Sequence, residues 1–315
     1  MNKPVRGPGE DRNDVVLDLQ HAPRKILAEI VIVVAVLCVL GVVLTGRNTP
    51  KDPNPSLPPP VARPGISGEK PGWELTFSDE FDGTTLDRAK WIDSYPDGKR
   101  THANNEQQFY AEDGWKVRDG KLLFTAEKRR QGGMPYTSGM VCSYGKFAQQ
   151  YGWFEIRARF PVGQGMWPAF WLLPKTGKWP PEIDILEILG HETNVVLFTN
   201  HWGSDYRSHR YETKRWQGPD FAADFHTFAA EWTPQQIIWY VDGTERFRTT
   251  RNIPHEPMYV LANLAVGGDL PGMPDETTPF PGVMEVDYIR IYKRLQTSLR
   301  GETIKPVRGG KGVLR

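Results

Sequence analysis

The chain has 315 residues, of which 24% are charged, yet its formal net charge is only +1, which gives no reason to expect a nucleic acid or a generally acidic partner. A hydrophobic content of 39% suits a folded domain with polar appendages, long enough for one large β domain or two smaller ones. The only cysteines are Cys38 and Cys142; Cys38 lies in an apolar run, which argues against an internal disulfide and leaves the compartment unsettled.

Residues 1–25 are polar and charged and end in Arg24 and Lys25. Ile30 to Leu44 is then a continuous apolar run of 15 residues, or 19 from Ile26 with Glu29 as the one interruption. At 1.5 Å per residue the longer run spans about 28 Å, close to the roughly 30 Å of bilayer hydrocarbon. Residues 26–45 therefore read as a transmembrane signal anchor. A cleaved signal peptide is the rival, but the leader is long and Val43-Leu44-Thr45-Gly46 lacks an A-x-A pattern. Basic residues flank both sides, so the charge bias toward a cytoplasmic N-terminus is weak. The expected location is the cell membrane, single-pass with the folded domain outside the cytoplasm, or secreted if the segment is cut.

Within the linker 46–72, seven of the fifteen residues from Pro50 to Pro64 are proline, an extended spacer of about 3 Å per residue. The folded domain is expected over 73–294. There Phe154, Ile156, Ala158 and Phe160 alternate with Trp153, Glu155, Arg157 and Arg159. Ile238-Trp239-Tyr240-Val241 runs into Asp242-Gly243, a hairpin signal, and Met258 to Val266 and Val283 to Lys293 read as further strands. No long stretch has the helical period, so the expectation is an all-β fold of two packed antiparallel sheets. Residues 295–315 form a basic tail expected to be disordered. All eleven Trp fall between Trp73 and Trp239; a sandwich core explains several, and a carbohydrate cleft, where sugar C–H faces pack on aromatic rings, would explain the rest.

Three carboxylates mark the segment Glu182-Ile183-Asp184-Ile185-Leu186-Glu187-Ile188-Leu189, which follows Pro180-Pro181 and is closed by Gly190. In a strand, Glu182 and Asp184 share one face and Glu187 falls on the other. A one-residue bulge around Ile185 and Leu186 restores the phase and lines all three acids on one face, with Ile183 and Ile188 behind them. In a helix the acids scatter around the axis and no apolar stripe forms. The competing local reading is an acid-rich helix N-terminus. His191, His201 and His209 match no zinc spacing.

Glu182-Ile183-Asp184-Ile185-Leu186-Glu187 resembles the bulged E-x-D-x-x-E signature of glycoside hydrolase family 16, in its laminarinase or endo-β-1,3(4)-glucanase form. Asn104-Asn105-Glu106-Gln107-Gln108-Phe109-Tyr110, Trp167-Pro168-Ala169-Phe170-Trp171, Glu231-Trp232-Thr233-Pro234, Trp239-Tyr240-Val241-Asp242-Gly243, Asn263 to Gly268 and Val286 to Tyr292 resemble that family's other segments, in order. The resemblance implies a β-jelly-roll (concanavalin A-like) sandwich with a sugar-binding concave sheet, here behind an N-terminal transmembrane helix. It also implies a retaining endo-glycosidase acting on a β-1,3 or mixed β-1,3/1,4 glucan, with Glu182 as nucleophile, Glu187 as acid/base and Asp184 hydrogen-bonded to Glu182.

By the same resemblance Asn105 would bind a sugar, and Trp167 and Trp171 are candidate stacking platforms or core residues. His201 would support Glu187 or the leaving sugar, unless it is a histidine satisfied within the sheet. No cofactor is expected for catalysis; a structural calcium would draw oxygens from Glu80, Asp287 and a backbone carbonyl near Gly120. The expected partners are a polysaccharide and the membrane, with no nucleic acid, and the chain is expected to be a monomer. Three departures leave the glucan open: Met140 where laminarinases often carry Arg, Leu270 where they often carry Trp, and Trp179-Pro180-Pro181 in place of a cysteine-containing lead-in. A transglycosylase using the same acids and a lectin-like module on the same fold are the competing functions; the acid triad counts against the lectin.

Overall fold

The structure is a computed structural model that describes residues 70–295. The polar segment 1–25, the anchor 26–45, nearly all of the linker and the tail beyond Leu295 lie outside the described residues. Among the described residues no helix is long and apolar enough to cross a membrane.

Sixteen strands make up the domain. In chain order they begin with β1 (Trp73–Asp79), β2 (Gln108–Tyr110), β3 (Trp115–Arg118), β4 (Lys121–Ala126), β5 (Tyr136–Ser138) and β6 (Met140–Cys142). The middle of the chain supplies β7 (Gly152–Arg159), β8 (Met166–Pro174), β9 (Glu182–Ile188), β10 (Val195–Trp202) and β11 (Arg210–Gln217). The last are β12 (His226–Trp232), β13 (Ile237–Val241), β14 (Thr244–Thr249), β15 (Met258–Val266) and β16 (Gly282–Arg294).

Eight strands form one sheet in the order β14-β13-β12-β7-β16-β4-β3, with β1 also on β16; six form the other in the order β11-β10-β9-β8-β15-β6. Every pairing within these two sheets is antiparallel, whereas the short β2 and β5 pair in parallel as a separate ribbon. The all-β expectation holds for the described residues.

Alternation along each strand explains the layering. Phe154, Ile156, Ala158 and Phe160 point into the core, and β8 and β15 add Met166, Phe170, Leu172, Val260, Ala262 and Leu264 from the facing sheet. The other face of β7 is polar: Arg157 Nη1 donates to Asp287 Oδ2 at 2.7 Å, and Glu155 accepts from Trp153 Nε1 at 2.8 Å. The predicted hairpin turn joins β13 to β14, with Asp242 at φ 50° and Gly243 at φ 71°, the left-handed pair that a two-residue turn needs.

On its outer face the six-stranded sheet carries a second apolar cluster containing Tyr95, Tyr110, Met140, Cys142, Ala169, Trp171, Tyr259 and Leu261. Loops from the 92–110 region cover this half of the sheet. The half formed by β9, β10 and β11 is where polar side chains gather.

Candidate active site

The acid segment is strand β9, and it is bulged. Against β8, Ala169 pairs with Glu187 and Phe170 with Leu186, but Trp171 pairs with Asp184, so one β9 residue is skipped. Against β10 the same slip falls between Leu197, opposite Glu187, and Thr199, opposite Asp184. Ile185 and Leu186 therefore both face the core, together with Ile183 and Ile188. Two consecutive inward residues are what return Glu187 to the outer face, beside Glu182 and Asp184. The helical alternative is excluded.

On that face His201 stands opposite Glu182. Its Nε2 lies 2.9 Å from Asp184 Oδ2 and 3.9 Å from Glu182 Oε1. The reactive atoms of Glu182, Asp184 and His201 all lie within 4.8 Å of one another, the one set among the described residues that could offer a metal three ligands. Strand register sets His201 directly against Asp184 and Glu182, and its charge also reaches Glu187, where it opposes the effect of burial. His201 Nδ1 is 2.8 Å from His209 Nε2, and the two rings stack. Burial, then the charges of His201 and Arg210, hold His209 below its ordinary value.

Two indoles reach the acids. Trp179 Nε1 donates to Glu182 Oε2 at 2.6 Å, and Trp167 Nε1 to Glu187 Oε1 at 3.0 Å. Trp179 is 41% exposed and packs its ring against His209 at 4.6 Å between centroids. Trp171 needs correcting as a stacking platform. It is 9% exposed, its N–H goes to Asn263 Oδ1 at 2.7 Å, and it belongs to the outer-face cluster. The reason is the 92–110 loop region, which brings His102 edge-on to it at 6.2 Å.

Asn105 lies in an exposed loop with φ 57°, and its Nδ2 donates to Asp269 Oδ1 at 2.5 Å. This loop and the one after β15 form a wall next to Trp167. A Cβ on Gly268 would come within 3.0 Å of the Trp167 ring and 3.1 Å of the Asn104 carbonyl, a tight fit at φ 133°, where glycine is favoured. Behind the wall the Glu106 carboxylate takes Gln108 Nε2 at 2.5 Å and His102 Nδ1 at 3.3 Å.

Burial raises all three acids of β9. Asp184, the most enclosed, is pushed well above the carboxylate range by burial and then by the charge of Glu187. Glu182 is pushed up to about 8 by burial and by Asp184, against the pull of His201 and Trp179. Glu187 is pushed up to about 7 by burial and by the Glu182 charge, with His201 and the Trp167 N–H opposing. Burial therefore resists the full ionisation of the trio at neutral pH, so that a proton stays available on this face. The Glu182 charge is felt at Glu187, as expected of two carboxyls on the same face of the sheet.

The calcium ligands suggested by the resemblance fare differently. Both Glu80 oxygens accept from Arg290, at 2.8 Å each, and Asp287 pairs with Arg157. A calcium ion drawing on these carboxylates would compete with two guanidinium groups, and no role for the ion is derived.

Trp179 and His209 were not identified as site residues from the sequence. Trp179 had a usable signal, its place three residues before Glu182 at the departure from the family pattern. His209 had none, because its approach to His201 depends on the β10–β11 hairpin.

Comparison with known proteins shows that residues 101–290 match the model of glycosyl hydrolases family 16. The chain is 38% identical over 240 residues to the endo-1,3-1,4-beta-glycanase ExsH of Rhizobium meliloti, an alignment covering 69% of this chain and 51% of that protein. A beta-glucanase of Rhodothermus marinus is 36% identical over 254 residues, 72% of this chain and 87% of the relative. Among solved structures, the laminarinase catalytic domain of Thermotoga maritima superposes with a TM-score of 0.64 at 35% identity, covering 71% of this chain and 99% of that one. The chain spans about half the length of the two Rhizobium glycanases it matches.

Proposed function

This chain belongs to glycosyl hydrolase family 16, and on that premise we propose that it cleaves internal bonds of a β-1,3 or mixed β-1,3/1,4 glucan with retention of the anomer. The observation that carries this reading is the bulge that turns Glu187 to the same face as Glu182 and Asp184, where burial raises all three carboxyls.

In this reading Glu187 gives its proton to the departing glycosidic oxygen while Glu182 attacks the anomeric carbon and forms a glycosyl ester. Glu187, now a carboxylate, takes a proton from water, and that water displaces Glu182. Glu182 must be ionised and Glu187 protonated at the start. A proton on Asp184 removes the charge that most raises Glu182 after burial, and the Trp179 N–H stabilises the resulting carboxylate. His201 holds Asp184 in place through its Nε2. Trp179, exposed and hydrogen-bonded to Glu182, is the platform for the sugar whose anomeric carbon Glu182 attacks.

The test is a product profile on laminarin, lichenan and other polysaccharides, with the anomer of the first product followed by proton NMR. New reducing ends from internal cuts and an initial β anomer are expected. Longer products would instead point to glycosyl transfer, binding without cleavage to a lectin, and an initial α anomer would rule out double displacement.

The two roles given to Trp179 separate under substitution. Trp179→Phe keeps a ring but loses the N–H, so kcat should fall about tenfold with little change in KM, in line with the loss of a hydrogen bond to a charged group. Trp179→Ala should also raise KM, lowering kcat/KM by roughly 100-fold. Unchanged KM in the alanine variant would remove the platform.

A further inference from the structure

We propose that Trp239, on the opposite sheet, is a positioning residue that holds the β9 bulge in register through its indole N–H. The proposal rests on the acid roles given above. Trp239 Nε1 donates to the backbone carbonyl of Asp184 at 2.8 Å. Asp184 is the last residue in register before the skipped position, since Trp171 and Thr199 pair with it and Ile185 pairs with neither neighbour. A carbonyl in an unbroken ladder lies in the plane of its sheet and bonds to an adjacent strand. This one reaches a side chain on β13, across the core, so the bulge has turned it out of the ladder.

The site of that hydrogen bond is fully enclosed. Trp239 has no exposed surface, and the residues next to Asp184 on β9, Ile183, Ile185 and Leu186, are all core residues. A buried carbonyl without a donor is unfavourable, and the apolar side chains of the core offer no donor in place of the indole. Without the N–H, the peptide after Asp184 gains by rotating back toward the ladder. That rotation undoes the phase change on which Glu187 depends. Phe247 stacks on the indole at 5.1 Å and 28°, and Phe198 lies at 6.3 Å. The eight-stranded sheet thus sets the spacing of two acids on the far side of the six-stranded one.

Trp239 touches no reacting atom, so the readout must separate positioning from packing. Trp239→Phe preserves a ring between Phe198 and Phe247 and removes the donor. Site-specific Trp239→benzothienylalanine preserves the indole shape with sulfur in place of N–H and guards against a folding defect in the phenylalanine variant. Both should lower kcat by roughly 10- to 100-fold with KM within about twofold, the scale of an ångström-level displacement of a catalytic group. Both should also move the limbs of the pH–rate profile, because the Glu182–Glu187 coupling changes. Phe247→Leu is the packing control; it loses the stack and some melting temperature but keeps the N–H, and its kcat and pH profile should stay at the wild-type values.

Wild-type kcat and an unmoved pH profile in the benzothienylalanine protein would overturn the proposal. A loss in Phe247→Leu as large as in Trp239→Phe would overturn it too, by showing that packing alone is at work. Glu182→Gln and Glu187→Gln, assayed alongside, keep the two levels apart. If those variants are inactive and the Trp239 variants are normal, only the positioning role fails. If they remain active, the acid assignment itself fails.

Discussion

Glu187→Gln should lose about three orders of magnitude in kcat/KM on an unactivated β-glucan, within the range by which a positioned general acid–base accelerates a reaction. The same variant should still glycosylate itself readily from an aryl glycoside whose leaving group needs no proton, and the glycosyl ester should then accumulate. Glu182→Gln should be inactive on both substrates because no ester can form. The two residues are therefore distinguishable without a structure of a complex. Azide makes the distinction stereochemical. In a Glu187→Ala variant azide should attack the glycosyl ester and give the β-glycosyl azide; in a Glu182→Ala variant it should replace the carboxylate and give the α product. The opposite pairing would exchange the roles of the two acids, and full activity in Glu182→Gln would remove the nucleophile. Circular dichroism of each variant is expected to match the wild type, because the acids lie on the outer face of the sheet while Ile183, Ile185, Leu186 and Ile188 carry the core contacts of β9.

The bulge was readable from the chain because period two cannot otherwise be reconciled with acids at 182, 184 and 187. Only an inserted residue puts polar side chains at 182, 184 and 187 on one face and aliphatic ones at 183, 185, 186 and 188 on the other. The strands flanking it were legible for the same reason, as in the alternation of β7. Trp171 was not legible. Sequence places it on the acid face of β8, two residues beyond Ala169, and that is where it lies; what sequence does not carry is the loop that brings His102 over it. Burial decided by a segment some 70 residues away leaves no local pattern. The same holds for Trp239, whose alternation marks it as inward-facing but does not say which carbonyl it meets. For Glu80 and Asp287, an acid's type fits calcium and arginine equally well, and the choice depends on Arg290 and Arg157 arriving from neighbouring strands.

Enclosing three carboxyls on one face has a consequence for stability, and its sign is opposite to that of a salt-bridged acid. A carboxyl whose folded-state pKa is raised binds its proton more tightly folded than unfolded, so its stabilising contribution is complete below the unfolded value and is lost as pH rises through the folded value. For Glu182 the window runs from 4.5 to about 8, and for Glu187 from 4.5 to about 7. The rise at Glu182 corresponds to at most about 5 kcal/mol at 1.36 kcal/mol per pKa unit. Because ionising one acid is resisted by its neighbours and eased by their protonation, the share released by one substitution is on the order of 2–4 kcal/mol. Glu182→Gln keeps the shape and hydrogen-bonding oxygen of the side chain and never ionises. It should therefore melt close to the wild type at pH 4.5 and roughly 5–10 °C above it at pH 8, given about 2–4 °C per kcal/mol for a domain of this size. His102, raised by the Glu106 hydrogen bond and charge against the lowering effect of burial, adds a loss of the same sign above neutral pH. It is present in both proteins, so to first order it cancels from the difference. A variant that melts below the wild type at pH 8, or a difference that does not grow between pH 5 and pH 8, would mean that Glu182 ionises in the folded chain as easily as in water. The enclosed, proton-holding cleft on which Glu187 relies as an acid would then not exist.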